Sequence, residues 1–257
     1  MKKIAIGLII GATFSSTGIY AGSMGNVNAA NWTGIYLGAN GGGGWGDPSV
    51  VMNYLKYGAI EQGISWYPTK AQQNFSGAIF GGQIGYNYQV KPQWVVGLKY
   101  DTDLSQWTGY SANASGDSSG SIAVLYTDQK LNWFGHLLPR LGYLINDSFL
   151  FYGTGGLAFG SIQGYANQVF STSSVGDNAY PGSYKTSAAG WAAGAGIEWN
   201  MAQNWSLGVE YLYNDLGKNT AIADETFPTG VTSSVLQNQY IFNTKFQTVA
   251  LAVNYHW

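Results

Sequence analysis

From residue 33 to the C-terminus, apolar and polar side chains alternate with a period of two in stretches of about eleven to fourteen residues. Successive side chains of a β-strand point to opposite faces. The alternation therefore predicts eight strands, at 33–45, 75–88, 94–106, 130–143, 149–160, 187–199, 205–215 and 245–257. Three pairs of strands are joined by short polar segments, QVKPQ, LINDS and NMAQN, centred near 91, 146 and 202 and so repeating every ~55 residues. The other links, 46–74, 107–129, 161–186 and 216–244, are rich in Ser, Gly, Asn and Thr and are expected to be long loops. SANASGDSSGS at 111–121 is the most loop-like of them.

A ring flanks every short turn: Tyr88 and Trp94, Tyr143 and Phe149, Trp199 and Trp205, with Tyr255 and Trp257 closing the last strand. Rings with an apolar body and a polar tip, all at one height, suggest a fixed interfacial plane, as in the aromatic girdle of a membrane protein. Each ring also fixes which face of its strand it shares. Trp94 shares a face with Val96, Leu98, Tyr100 and Leu104; Trp199 with Ile197, Ala195, Ala193 and Trp191; Trp205 with Leu207, Val209, Tyr211 and Tyr213. Trp257 shares one with Tyr255, Val253, Leu251 and Val249, and Tyr143 with Leu141, Pro139, Leu137, Trp133 and Leu131. These faces are almost wholly apolar. The ionised residues well inside the strands are Lys99, Asp101, Asp103, Arg140, Glu198 and Glu210, and all lie on the opposite face. A soluble half-buried sheet would turn its charges toward water and its apolar face toward a second layer. Here the apolar face carries the girdle, so it faces lipid and the charges face a lumen.

With every backbone group needing a partner in lipid, strands can span only as a closed barrel. The expected fold is all-β: an eight-stranded antiparallel up-and-down transmembrane β-barrel with short periplasmic turns and four long extracellular loops. Beyond the first residues no run of 18 apolar positions occurs, so no spanning helix is expected. Lys2 and Lys3 precede IAIGLIIGA and then small and polar residues up to Ala21, the layout of a secretory signal peptide. Residues 1–21 are assigned to it and 22–257 to the barrel, with Ala29 or Ala30 as alternative cleavage sites.

Composition narrows the function. Charged residues are 9% of the chain, aromatics 16%, and there is no cysteine, so an exported chain is held by its core or by a membrane rather than by disulfides. Removal of Lys2 and Lys3 leaves 9 basic against 13 acidic residues, which argues against a nucleic-acid partner. Small inward residues, Gly77, Gly81 and Gly85 on one strand and Ala188, Gly190, Ala192, Gly194 and Gly196 on another, suit a narrow barrel whose larger side chains come from other strands. Pro139 inside a strand predicts a bulge.

Little points to catalysis. His136 and His256 are the only histidines; His136 faces the lumen among the charges and His256 lies at the periplasmic rim, so neither a metal site nor a cofactor is expected. No serine sits at short spacing from His136, and Ser206 lies next to a periplasmic turn, so the chain is not expected to be an enzyme. FYGTGGLAFG at 151–160 is glycine-rich but is followed by no helix that could cradle a phosphate. Lys99 and Arg140 are expected to pair with the inward acids, since an unpaired charge in a narrow lumen is costly.

Several stretches resemble a known family. Asn31-Trp32-Thr33-Gly34 with Tyr36 and Gly38, the segment FYGTGGLAFG, and the ending Val253-Asn254-Tyr255-His256-Trp257 resemble small outer-membrane barrels of the OmpA and opacity type. The nearest likeness is to the alphaproteobacterial "porin family" of surface antigens. The family's usual terminal Phe is replaced by Trp257, and anchoring to the cell wall through a peptidoglycan-binding domain like that of OmpA is not expected. The resemblance implies a Gram-negative outer-membrane protein inserted by the barrel-insertion machinery and surrounded by lipid and lipopolysaccharide. It also implies a structural surface role, in envelope integrity or in loop-mediated adhesion and binding of a host or small-molecule ligand. The alternative is a small-solute porin or narrow ion channel. An eight-stranded interior nearly filled by side chains favours the closed reading, with a lumen closed by its charged side chains.

Overall fold

The computed structural model of the protein describes residues 32–60, 67–118, 120–172, 176–202 and 204–257; the expected signal segment and both alternative cleavage sites lie outside them. The described residues form eleven strands: β1 (Gly34–Gly46), β2 (Ser49–Lys56), β3 (Ala59–Ile60), β4 (Lys70–Gln72), β5 (Phe75–Lys91), β6 (Trp94–Gly116), β7 (Ile122–Asn146), β8 (Phe149–Thr172), β9 (Gly176–Ala202), β10 (Trp205–Thr226) and β11 (Thr232–His256). Eight of them, β1 and β5 to β11, pair antiparallel in that order, and β11 returns to β1 to close the ring. The expected eight-stranded up-and-down barrel is the fold.

The strands are longer than the alternation indicated. β6 has 23 residues and β9 27, so most of 107–129, 161–186 and 216–244 is strand rather than loop. Even 111–116 of the serine-rich stretch lies in β6. The periplasmic turns are correspondingly tighter, with β5 ending at Lys91 and β6 beginning at Trp94.

Beyond the lipid band the wall reorganises. β11 pairs with β1 only through Gln247–His256, and its outer part, Leu236–Asn243, pairs with β2 instead. The β9–β10 ladder stops at Trp191↔Asp215 and resumes only at Ala179↔Thr226. The extension therefore becomes two facing sheets, β6-β7-β8-β9 and β10-β11-β2, with Met52, Leu125, Tyr180, Tyr240 and Phe242 buried between them. Tyr240 ties the two together: its hydroxyl donates to the Tyr180 carbonyl at 2.7 Å and accepts from the Gln168 N–H at 3.0 Å. Tyr240→Phe leaves both backbone groups buried without that partner and is expected to cost about 1–3 kcal/mol, read from urea unfolding of the refolded protein. Burial holds the Tyr180 and Tyr240 phenols above their usual range and pushes Tyr184 up to about 12.

Two local expectations need correction. Leu131 was placed on the lipid face, but it is fully buried in the barrel interior. The ladder from β7 to β8 runs Leu131↔Ile162 and then Trp133↔Ser161, so Asn132 is an extra residue on β7. A one-residue insertion exchanges the two faces of a strand. Inward positions on β7 are even-numbered from Phe134 onward and odd-numbered up to Leu131. The second correction concerns Pro139, where no bulge occurs. Leu137↔Leu157 and Arg140↔Thr154 keep one register across it. Proline lacks an N–H, and the structure meets this by a local gap in pairing, with the Thr154 hydroxyl donating to the Pro139 carbonyl at 2.8 Å.

Outward residues of the spanning part, such as Leu98, Leu141, Ile197 and Leu251, are 38–54% exposed. Inside, glycines make room for rings from other strands. A Cβ on Gly77 would lie 2.7 Å from the Trp107 ring, and one on Gly85 2.4 Å from the Tyr36 ring.

Candidate functional site

The polar centre of the barrel is built by the inward faces of strands that alternate outward into lipid. Along β6 the inward order from the periplasmic end is Val95, Gly97, Lys99, Asp101, Asp103, Ser105 and Trp107. Lys99, Asp101, Asp103, Arg140, Glu198 and His136 are each at most 5% exposed, and the Glu210 side chain is 11% exposed. All seven lie inside the barrel; six of them form two groups, and Asp103 stands beside the first without an ion pair.

In the first group the Lys99 ammonium contacts Asp101 at 3.0 Å on its own strand and Glu210 across the lumen. Glu210 also accepts from the Tyr152 hydroxyl at 3.0 Å. His136 bridges Asp101, 2.5 Å from Nδ1, and Asn214, 2.7 Å from Nε2. In the second group the Arg140 guanidinium donates from Nη1 to Glu198 at 3.1 Å and from Nε to Asn87 at 2.8 Å. Its Cζ lies 4.8 Å from the Tyr36 ring centroid and 5.0 Å from that of Tyr152. Glu198 is further held by the Ser206 hydroxyl at 2.5 Å and the Asn254 amide at 2.9 Å, and Gln83 donates to Asn254 at 2.6 Å. Lys99, Asp101, Arg140, Glu198 and Glu210 thus each have an opposite partner, the condition for tolerating a charge in a low-dielectric interior, whereas Asp103 is in no ion pair among the described residues.

None of these neutral partners was expected from the sequence to hold the lumen charges: Asn87, Asn214, Asn254, Gln83, Ser206, Tyr36 and Tyr152. The signal was available, since each lies on the inward parity of its strand. A neutral amide on that face is noticed only when its neighbour across the lumen is known.

Apolar layers close this polar centre at both ends. On the outer side Trp107, Phe134 and Phe246 pack together, with centroids 5.0–6.1 Å apart, among Ile79, Leu131, Ile162 and Leu216. The Trp107 Nε1 donates to the Ala78 carbonyl at 3.1 Å. On the periplasmic side Trp32, Val95, Leu144, Leu150 and Tyr152 form a second buried cluster. Trp32 stands outside the predicted strands, yet it folds under the barrel mouth with its Nε1 donating to the Asp147 carbonyl at 3.3 Å.

Two catalytic possibilities can be read from the geometry. Ser206, His256 and Glu198 do meet: Ser206 Oγ is 2.8 Å from His256 Nε2. Glu198, however, contacts the serine hydroxyl and that same Nε2, at 3.3 Å, instead of orienting the ring through Nδ1. The Ser206 side chain is completely buried. That arrangement is a hydrogen-bond cluster, without the serine–base–acid order of a hydrolase. Asp101, Asp103 and His136 bring three possible metal ligands within 4.8 Å of one another. Lys99 and the imidazole already occupy the Asp101 carboxylate, so Asp101 and His136 belong to the ion-pair network and Asp103 stands next to it.

The ring residues form a belt at the short-turn end. Trp94 and Tyr143 are paired across β6 and β7 with centroids 5.3 Å apart, Phe149 stacks on Trp199 at 6.0 Å, and Tyr255 sits between Trp205 at 5.1 Å and Trp257 at 4.8 Å. Tyr88, Trp94, Trp199, Trp205 and Trp257 are 41–66% exposed, as rings facing an interfacial solvent would be.

Residues 7–256 match the family of the outer membrane protein beta-barrel domain. The 31 kDa outer-membrane immunogenic protein of Brucella melitensis is 34% identical over 233 residues, covering 89% of this chain and 85% of that one. The 22 kDa outer membrane protein of Rhizobium leguminosarum bv. viciae is 36% identical over 138 residues, 53% of this chain and 52% of that one. Among solved structures, the outer membrane protein OprG of Pseudomonas aeruginosa aligns over 89% of this chain and 99% of its own, at 13% identity and a TM-score of 0.43.

Proposed function

The chain belongs to the outer membrane protein beta-barrel domain family, with surface antigens among its relatives and the outer membrane as its location, and from that premise we propose that it is a structural surface barrel with a sealed lumen. The spanning part is an anchor that contributes to envelope integrity. The strand extension beyond the lipid displays two packed sheets and their turns for adhesion or for binding a host or small-molecule ligand. Cleavage of residues 1–21 and recognition of Val253–Trp257 by the barrel-insertion machinery belong to the same proposal. The observation that carries it is the pair of apolar layers, Trp107–Phe134–Phe246 on one side and Trp32–Leu144–Leu150 on the other, that enclose the charged centre. A second reading, a narrow ion path or small-solute porin, is favoured by the ionised side chains themselves, since such groups line conducting pores.

Planar-bilayer recording of the refolded mature protein separates the two. The sealed reading expects no unitary conductance; steady openings in the wild type would overturn it. Orientation is tested on intact cells with a membrane-impermeant maleimide, which the cysteine-free chain makes clean. Ser118→Cys, in the turn between β6 and β7, is expected to label from outside, and Lys91→Cys only after the outer membrane is permeabilised.

A further inference from the structure

Resting on that orientation, we infer that the outer face of β7, β8 and β9 just above the lipid band binds the phosphorylated sugar headgroup of an outer-leaflet glycolipid, between Lys130 and Lys185. The register aligns Lys130↔Gln163 and Gln163↔Lys185, which places the two lysines on one row with β8 between them. Two strand spacings separate their backbones by roughly 10 Å, and two flexible ammonium chains across that span can close on one phosphate. Both side chains point away from the barrel and line a single groove of about 550 Å3, with Gln163, Tyr165, Ser183 and Asp128.

Three features point to a lipid-borne anion. The first is height: Lys130 is the next outward residue above Trp133 on β7, across the Asn132 bulge, and on β9 only Ala189 and Ser187 face outward between Trp191 and Lys185. The bulge matters here, because without it Lys130 would share the inward face of Phe134. The second is charge: among the described residues neither Lys130 nor Lys185 is in an ion pair, whereas Lys245, on the other side of the wall, contacts Asp215 at 3.2 Å. The third is what lies on either side of the row. Below it, Leu157 at 61% exposure and the rings of Trp133 and Phe159 continue the lipid-facing surface on which acyl chains pack. Above it, Tyr110 at 62% and Tyr165 at 42% exposure offer ring faces to sugars. Asp128 stands at the outer lip, and Gln163 and Ser183 add neutral hydrogen-bonding groups between the lysines.

The test is thermal unfolding of the full refolded protein in detergent micelles titrated with bisphosphorylated lipid A, with dephosphorylated lipid A and inorganic phosphate as parallel arms. Lys130→Ala/Lys185→Ala is compared with Lys56→Ala/Lys218→Ala, which removes the same charge elsewhere, and folding of each is checked by heat-modifiable gel mobility. Bisphosphorylated lipid A is expected to raise the wild-type midpoint, and the Lys130/Lys185 variant to need roughly tenfold more lipid for the same shift. The control pair should retain the wild-type response. Equal responses of both variants, or an equal response to dephosphorylated lipid A, would overturn the site. Inorganic phosphate alone producing the full shift would remove the glycolipid from it. Because the assay uses micelles, it is independent of orientation. Labelling of Lys91→Cys from outside would instead refute the topology on which the site rests.

Discussion

Glu198→Ala is expected to lower the unfolding free energy by about 3–5 kcal/mol, the cost of breaking a buried ion pair by deleting one partner. Glu198 is 1% exposed and collects Arg140 at 3.1 Å, the Ser206 hydroxyl at 2.5 Å and the Asn254 amide at 2.9 Å. Its removal strands the guanidinium, itself 5% exposed, with only Asn87 and the faces of Tyr36 and Tyr152. The loss is therefore electrostatic more than steric. Arg140→Met/Glu198→Leu removes both charges at similar volume and is expected to recover most of the stability, since an apolar replacement of a buried pair is often neutral. Equilibrium urea unfolding in lipid vesicles, followed by tryptophan fluorescence, measures both variants. Equal losses in the two would show that the site contributes packing and not charge compensation.

Trp107→Ala is the second large effect, expected at about 3–5 kcal/mol for truncation of a buried aromatic. Gly44 and Gly77 line its ring, where a Cβ would come within 2.1 and 2.7 Å. Those glycines have no side chain to close the void, which puts the cost toward the upper end. The same substitution separates two accounts of the closed lumen. If the apolar layers are the seal, Arg140→Ala stays electrically silent, and so does Trp107→Ala alone, because the Trp32 cluster still shuts the periplasmic mouth. Trp32→Ala/Trp107→Ala/Phe246→Ala opens both ends and is expected to conduct. Openings in Arg140→Ala would assign the seal to the ion pairs instead, whatever the fate of the triple variant.

The sequence-based expectation for the lumen was a closure by charged side chains. The charges are where parity put them, but the layers beyond them are apolar. Phe134 lay on the inward face of a predicted strand, and Trp107 stood one residue past a predicted strand end. That they meet Phe246 across the lumen depends on register between strands far apart in the chain, which no local pattern encodes.

What the sequence determined by itself is the barrel: eight strands, the apolar outward parity, the belt of rings at the short-turn end and the inward position of the ionised groups. Lipid imposes a strict rule on every second residue, and a period-two rule is legible locally. What only the tertiary structure decided begins where that rule lapses. Beyond the lipid, outward positions face water and accept Ile122, Tyr126, Lys130 or Gln163 alike, so strands there read as loops. Their order comes from partners: β2 covering the outer part of β11, and Tyr240 fastening one sheet to the other. The Asn132 bulge belongs to the same class, since one inserted residue leaves no mark in composition yet turns Leu131 into the core and Lys130 outward. Alternation is a property of a strand; register, closure and seal are properties of its neighbours.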